Sequence, residues 1–363
     1  MKKINLNLSQ NPYEIWIGSG ILKRLPQMFP TEVQGRAFLI ADQKLKTQTD
    51  QVKVALENAG WVVHVLRLHV SEGLKDFRRI YPLYGYLLRN GADRHSVIFA
   101  LGGGVIGDAV GFIAGTYLRG IRWVGIPTTL LAQVDSAVGG KTGINHKSGK
   151  NLIGVFHQPA GVICDLSLLK TLSMRDRVSG MGEIIKYGLT FDTGFFGILK
   201  SNWKKILKLE SSILSDAVYQ SLRLKAQMVI EDERDYKGIR EILNFGHTLG
   251  HALESVTGYG YFRHGEAVIL GMRGAAYLSV LRGHLTGGAH AEIDEFLRSL
   301  PVPKIPKKVK SKELLSKLKF DKKVRNNRVR FVLLRAVGQA TLDIGVLDKE
   351  VLLTIDWLRQ NHS

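Results

Sequence analysis

The chain is poor in cysteine, has no long apolar run, and carries too few acids for its bases. One cysteine, Cys164, excludes an internal disulfide framework and suits a reducing cytoplasm, where the protein is expected. It stands in the apolar run Val162-Ile163-Cys164 and reads as a core residue, not a nucleophile. No apolar stretch is long enough to span a bilayer, and no apolar h-region follows Lys2-Lys3, so neither a membrane anchor nor a secretory signal is expected. Only 32 Asp+Glu face 51 Lys+Arg, a formal net charge of +19 that would draw anionic substrates, or nucleic acid non-specifically. Much of the excess lies between Lys304 and Arg330. No RNP-type aromatic strand, zinc-finger spacing or recognition helix accompanies it, so a solvated basic surface is expected and nucleic acid is not the expected partner.

At 363 residues the chain exceeds the roughly 250–300 at which single cores stop growing, so two domains are expected. The first half alternates candidate strands (Glu14–Ile17, Ala37–Ile40, Val62–Leu66, Val97–Leu101, Arg122–Ile126, Val162–Cys164) with helical stretches (Asp50–Ala59, Phe77–Arg89, Ala109–Tyr117). That alternation predicts an α/β layered domain with a mostly parallel, Rossmann-like sheet. After about Leu168 the segments 181–200, 210–231, 240–256, 264–282 and 289–299 all read as helices, and strand-like runs vanish until Val329–Leu334. The expected boundaries are an α/β domain over 1–167 and a mainly α-helical domain over 168–363.

Within that second half, Arg240, Asn244, His247, His251 and Glu254 follow one another at spacings of four, three, four and three, which places them on one stripe of an α-helix. The positions between them are mostly apolar or small, the reverse of a surface helix. Buried ionisable groups are costly unless paired or metal-bound, so the stripe predicts a polar face turned to a cavity.

Three loops of the first half carry chemistry. Leu101-Gly102-Gly103-Gly104-Val105-Ile106-Gly107-Asp108 follows a strand and opens a helix, where backbone N–H groups can approach a pyrophosphate. It is not the G-x-G-x-x-G fingerprint. Pro127-Thr128-Thr129 ends the next strand, its hydroxyls in the same crevice. From Asp135 to Asn151 run Gly139-Gly140-Lys141-Thr142, then Asn145, His146, Lys147, Lys150 and Asn151, a flexible anion cradle. It lacks the leading glycine of a Walker A loop, Val134 holding that place, which disfavours an NTPase. In the second half, Glu183 and Lys186 lie at i,i+3, and Arg263-His264-Gly265-Glu266 enters another helix. One carboxylate and histidines on separate helices suit Zn²⁺, and spacing alone leaves His247–His251–Glu183 and His247–His264–Glu183 both open.

Together G-G-G-V-I-G-D, P-T-T-L-L-A-Q-V-D-S, G-G-K-T, G-K-N, S-G-M-G-E-I-I-K-Y-G, D-E-R, L-N-F-G-H-T-L-G-H-A-L-E and H-G-E-A-V resemble the 3-dehydroquinate synthase family, in family order over roughly residues 70 to 325. The resemblance implies a dehydroquinate synthase-like fold and a homodimer. It also implies conversion of 3-deoxy-D-arabino-heptulosonate 7-phosphate, a phosphorylated sugar acid, to 3-dehydroquinate and phosphate, with NAD and Zn²⁺ (or Co²⁺). By matching motifs, Glu183, His247 and His264 would bind the metal, and His251 would meet substrate. Substrate contacts would also include Arg119, Asp135, Lys141, Asn151, Lys186, Lys225, Arg240, Asn244, Lys322 and Lys323. NAD contacts would be Asp42, Glu72, Lys75, Gly103, Gly104, Val105, Ile106, Gly107, Asp108, Thr128, Thr129, Lys141, Lys150 and the turn Leu168, Leu169, Lys170, Thr171. Two positions depart from the family pattern: its G-E-x-x-K loop reads Ser71-Glu72-Gly73-Leu74-Lys75, and Gly182 replaces the usual alanine beside Glu183. Alternative readings are a sibling sugar phosphate cyclase and a metal-dependent NAD polyol dehydrogenase, which would release NADH.

Overall fold

The computed structural model describes residues 1–28, 35–319, 324–325 and 328–362, so the expected contacts Lys322 and Lys323 lie outside the described residues. In chain order come β1 (Lys2–Leu6), β2 (Tyr13–Gly18), β3 (Arg36–Asp42), α1 (Lys46–Glu57), β4 (Val62–Leu68), α2 (Phe77–Arg89), β5 (Val97–Gly102) and α3 (Gly104–Thr116). There follow β6 (Arg122–Pro127), β7 (Lys141–His146), β8 (Gly149–Phe156), β9 (Gly161–Asp165), α4 (Met174–Phe191), α5 (Thr193–Leu207) and α6 (Ser211–Glu231). The chain ends with α7 (His247–Thr257), α8 (His264–Leu281), α9 (Gly287–Arg298), α10 (Ser311–Lys319), β10 (Val324–Arg325), β11 (Arg328–Val329), β12 (Phe331–Ala336), β13 (Gln339–Asp343) and α11 (Asp348–Gln360). No helix among the described residues is long and apolar enough to cross a membrane.

By contact the chain forms two units, Met1–Thr171 with Leu214–Arg234, and Leu172–Ile213 with Asp235–Ser363. The division expected after residue 167 thus falls at 171/172, and most of α6 groups with the first unit. Its partners explain this: Lys2 pairs with Asp216 and sits 4.8 Å over the Tyr219 ring, while Lys225 pairs with Asp135.

The first unit is built on a seven-stranded sheet in the order β1-β2-β9-β6-β5-β3-β4. Only the β1/β2 pairing is antiparallel. Alternation along β3 shows why the sheet is covered on both faces. Phe38 and Ile40 pack with Ile80, Leu83 and Leu87 of α2 and Ile106 and Ile113 of α3. Ala37, Leu39 and Ala41 face the other way, onto Val52 and Leu56 of α1. Parallel strands place their C-terminal ends on one edge, so Asp42, Gly102, Pro127 and Asp165 end there together. Cys164 is fully buried; burial, then Asp165, pushes its thiol up, as suits a core residue.

In the second unit α8 is buried along nearly its whole length and is packed by α4, α7, α9, α11 and β12. Glycines set the closest approaches. A Cβ at Gly265 would fall 1.8 Å from the Ser179 carbonyl oxygen, at Gly182 2.6 Å from that of Gly265, and at Gly271 1.9 Å from that of Gly246. Backbone therefore touches backbone where α4 and α7 meet α8.

The single helix expected over 240–256 is not continuous. Ile239–Asn244 is a 3-10 segment, and α7 starts only at His247, after Gly246 at φ +77°. A Cβ at Gly246 would lie 2.5 Å from Met272 Cγ and 2.8 Å from the Val268 carbonyl oxygen, so contact with α8 and a left-handed backbone both require glycine there. Likewise the expected helix 181–200 is two, α4 and α5, divided at Asp192, whose carboxylate caps α5 by accepting from Phe195 N. The glycine- and lysine-rich stretch 135–151 is no flexible cradle: after a π-helical turn at Ala132–Ser136 it enters the antiparallel hairpin β7–β8.

Candidate active site

In the second unit, α4, α7 and α8 each bring one donor to a common point. Glu183, fully buried on α4, has Oε1 3.4 Å from His247 Nε2 and 3.6 Å from His264 Nε2. A tetrahedral ion with bonds of about 2.1 Å has donor–donor edges of about 3.4 Å, so these separations fit a Zn²⁺-like ion. Glu183 Oε1 has no hydrogen-bond partner although it is buried, which leaves an acceptor for a cation. The other ring nitrogens are occupied. His247 Nδ1 donates to the Phe245 carbonyl at 3.1 Å, and His264 Nδ1 donates to Glu254 Oε2 at 3.2 Å. Each bond turns an Nε2 toward Glu183, the usual outer support of a metal-binding imidazole.

Of the two sets left open by spacing, Glu183, His247 and His264 have ligand atoms within 4.8 Å of one another. His251 instead gathers with Glu254 and His264, its ring centroid 5.8 Å from that of His264.

Charge in this cluster follows from burial and neighbours. Burial pushes the Glu183 carboxyl up, but Lys186, His247 and His264 outweigh it and hold the carboxyl well below its usual value. Burial, together with the cations Lys186 and His264, drives His247 well below the usual imidazole value despite Glu183. His264 goes the other way: burial opposes its charge, but Glu183 and Glu254 raise it to about 10. Without an ion, this imidazole keeps a proton that balances the carboxylates. Lys186 pairs with Glu183 inside the core, not on a surface as i,i+3 ion pairs commonly do. Arg240 is buried on the 3-10 segment, beside Glu241, which binds Arg330 at 3.0 Å.

In the first unit, α3 starts at Gly104 with no side-chain cap from Gly103, leaving a helix N-terminus free to meet an anion. A crevice beside it is lined by Gly102, Gly103, Gly104, Gly107, Pro127 and Ser136, among others. A Cβ at Gly104 would come 2.9 Å from Ser136 Oγ, and one at Gly103 3.2 Å from Thr129, so side chains there would fill the cradle. Thr128 N donates to the Gly102 carbonyl at 2.9 Å, joining two strand ends. Leu168 and Leu169 are buried, so their side chains are core; Lys170 and Thr171 are exposed. Asp42 caps the next turn through Lys44 N at 3.0 Å.

Cations of the first unit pair with acids and amides. Lys225 binds Asp135 Oδ1 at 2.6 Å, and Lys75, 3% exposed, binds Asp108 Oδ2 at 2.6 Å and also Asn151. Lys141 and Lys150 stand exposed on the hairpin, and Arg119 (φ +68°) is exposed after α3.

Residues 65–179 match the model of the 3-dehydroquinate synthase N-terminal region and residues 180–324 that of its C-terminal region. The chain belongs to the 3-dehydroquinate synthase family. It is 42% identical to the 3-dehydroquinate synthase of Citrifermentans bemidjiense over 352 residues, covering 95% of this chain and 97% of the relative. It is 38% identical to that of Desulforamulus reducens over 358 residues, 98% and 99% of the two chains. Among solved structures it resembles a 2-deoxy-scyllo-inosose synthase complexed with carbaglucose-6-phosphate, NAD⁺ and Co²⁺ (TM-score 0.87, 23% identity, 99% of each chain). It also resembles a 2-epi-5-epi-valiolone synthase from Streptomyces hygroscopicus with NAD⁺ and Zn²⁺ (TM-score 0.88, 23% identity, 98% of each chain). A probable glycerol dehydrogenase from Sinorhizobium meliloti is more distant (TM-score 0.64, 16% identity, 96% of each chain).

Two features of the site lie outside what its motifs specified: the place of Ser136, and the partner of Asn145. Ser136 lines the crevice, although it was visible only as the last letter of P-T-T-L-L-A-Q-V-D-S; the π-helical turn that aims it has no local sequence signature. Asn145 binds Glu72 Oε1 at 2.8 Å and receives the Asn151 amide at 2.9 Å, fastening the hairpin base to the turn Glu72–Lys75.

Proposed function

We propose that this chain is a 3-dehydroquinate synthase, a lyase that converts 3-deoxy-D-arabino-heptulosonate 7-phosphate to 3-dehydroquinate and inorganic phosphate. The observation that carries this reading is likeness over nearly the whole chain to proteins of that name. The buried donor trio and the glycine crevice fit the divalent metal and the dinucleotide that the reaction uses. When bound, these groups supply a Lewis acid that polarises a hydroxyl and an acceptor that takes up a hydride and returns it.

The chain's own residues then have assigned tasks. Glu183, His247 and His264 hold the metal, and Glu254 orients His264. Gly103 to Asp108, Thr128, Thr129, Lys150 and the turn from Leu168 to Thr171 take the dinucleotide, with Asp42, Glu72 and Lys75 nearby. Lys141, Lys225 and Arg240 are cations suited to phosphate and carboxylate, Arg240 as a planar fork and the lysines as point charges. Arg119, Asp135, Asn151, Asn244, His251 and Lys186 complete the substrate contacts. Lys186 is held by Glu183 and therefore poised, not mobile. The protein's contribution is mainly to position the substrate and exclude water.

The test is direct. Heptulosonate phosphate with Zn²⁺ and NAD⁺ in catalytic amount should give stoichiometric inorganic phosphate with no net NADH. Steady accumulation of NADH would point to a polyol dehydrogenase, and turnover of hexose phosphate instead to a sibling cyclase. The assembly is proposed to be a homodimer, checked by sedimentation equilibrium. DNA binding in filter assays is expected to vanish at physiological salt.

A further inference from the structure

Glu266 is a fully buried carboxylate in the first turn of α8. A charge so placed is tolerated only where it is paired and hydrogen-bonded. Arg175, in the first turn of α4 and 45% exposed, supplies the pair as a planar fork. Its Nε donates to Glu266 Oε1 at 2.8 Å and its Nη2 to Oε2 at 2.5 Å. The same Nη2 donates to the Tyr261 carbonyl at 2.6 Å. Glu266 Oε2 also accepts the Arg263 amide at 2.7 Å, and the Arg263 side chain meets Asp176 of α4 at 3.3 Å. One turn further along α4, Ser179 Oγ accepts the Gly265 amide at 3.0 Å. His264 stands between Arg263 and Gly265, so α4 holds the residue on either side of it. The backbone contacts that Ser179 and Gly182 make with α8 both fall on Gly265. They fix how near the helices come, but contact at one residue does not by itself set the rotation of the first turn of α8.

We propose that Arg175 is a positioning residue that acts through Glu266: its fork sets the rotation of the first turn of α8 and so aims His264 Nε2 at Glu183. The identity of the ion rests on the function proposed above; the brace between α4 and α8 does not.

Zn²⁺ affinity of the protein, measured by competition with a chromophoric chelator, reads the aim of His264. Arg175→Met should bind Zn²⁺ about tenfold more weakly, as expected when an outer support of a metal-binding residue is lost. The sign is informative, because deleting a cation would by charge alone strengthen binding of Zn²⁺. Glu266→Gln, which keeps an acceptor for the Arg263 amide, should cost a similar amount, and adding Arg175→Met to it should cost less than about twofold more. Should Arg175→Met fail to fold around its unpaired carboxylate, Arg175→Lys carries the same cycle. Its single ammonium keeps the charge but cannot span both oxygens, so a loss of about threefold is expected, again confined to the Glu266 background. Unchanged affinity in the folded Arg175 variant overturns the proposal, as does an equal loss in both backgrounds.

Amide hydrogen exchange supplies the metal-free reading. In the Arg175 variant, residues 264–268 should exchange about tenfold faster while residues 270–280 keep wild-type rates. Uniform acceleration along α8 would mean a general loss of stability and overturns the proposal. If the wild-type protein takes up no Zn²⁺, the metal reading fails, and exchange still decides the brace: unchanged rates over 264–268 overturn it.

Discussion

Glu254 Oε2 accepts a hydrogen bond from His264 Nδ1 at 3.2 Å, one turn beyond His251 on α7. The bond fixes which imidazole nitrogen faces Glu183. Glu254→Gln should therefore lower Zn²⁺ affinity about 10- to 100-fold without abolishing binding. Competition with a chromophoric chelator measures this, and an unchanged affinity would remove Glu254 from the site.

His264 and His251 should separate by metal content. His264→Ala should leave the dialysed protein without bound Zn²⁺, whereas His251→Ala should keep the metal and lose turnover. Metal analysis beside the phosphate-release assay tells them apart. Loss of metal in His251→Ala would move the ligand set to the alternative trio of His251, Glu254 and His264.

Metal uptake should release a proton. Without an ion His264 is raised to about 10, while Glu183 is already ionised and His247 already neutral near pH 8, since both are driven well below their usual values. An ion requires neutral imidazole, so about one proton should leave per Zn²⁺ at pH 8. Apparent affinity should climb with pH and level off as the pH passes that of His264. Titration calorimetry in buffers of different ionisation heat counts the proton, and a count of zero would contradict the charge assignment.

Asp343 offers a stability test away from the metal centre. Burial pushes its carboxyl up, but the Gly345 amide at 2.7 Å and His284 and Arg282 at 3.1 Å outweigh that and hold it below the usual range. A depressed carboxyl stabilises the fold above its unfolded pKa, and that contribution fades as pH falls through the folded value. Asp343→Asn should cost about 2 kcal/mol at pH 7 in urea unfolding, with a gap that narrows below pH 4. A gap independent of pH would mean that the carboxylate's charge is not what matters.

Much of this was legible before any coordinates. Short β-branched or apolar runs announced β2, β3, β4, β5, β6 and β9, and α2 ends where its periodicity ends, because local pattern and buried face agree there. The break between Asn244 and His247 was hidden, since a glycine in a helical pattern looks tolerable. Only α8, pressing Met272 and Val268 against Gly246, makes the left-handed turn obligatory. The hairpin was hidden for a related reason: Gly139, Gly140 and Gly143 suggest a loop, and cross-strand pairing is not a local property. Membership of α6 in the first unit depends on Lys2, 214 residues from Asp216, which no spacing rule reaches. At the proposed metal site, spacing left His251 and His264 both open beside His247, because the neighbour that separates them, Glu183, lies on another helix.

Gly182→Ala is the sharpest test of the helix packing. Its new methyl would sit 2.6 Å from the Gly265 carbonyl oxygen, so α4 must move away from α8. A loss of about 1–3 kcal/mol in denaturant unfolding is expected, together with weaker Zn²⁺ binding. Normal stability with normal affinity would show that α4 has slack.

That absence of slack bears on which ions the centre admits. Because carbonyl oxygens abut glycine carbons between α4, α7 and α8, the three donors cannot spread apart one side chain at a time. A calcium-sized ion, with bonds of about 2.3–2.6 Å and six to eight oxygen ligands, would need both a wider ring and more oxygens than Glu183 supplies. Discrimination by ionic radius is thus written into the glycines as well as into the ligands, and a ligand swap alone should not convert the site to a larger cation.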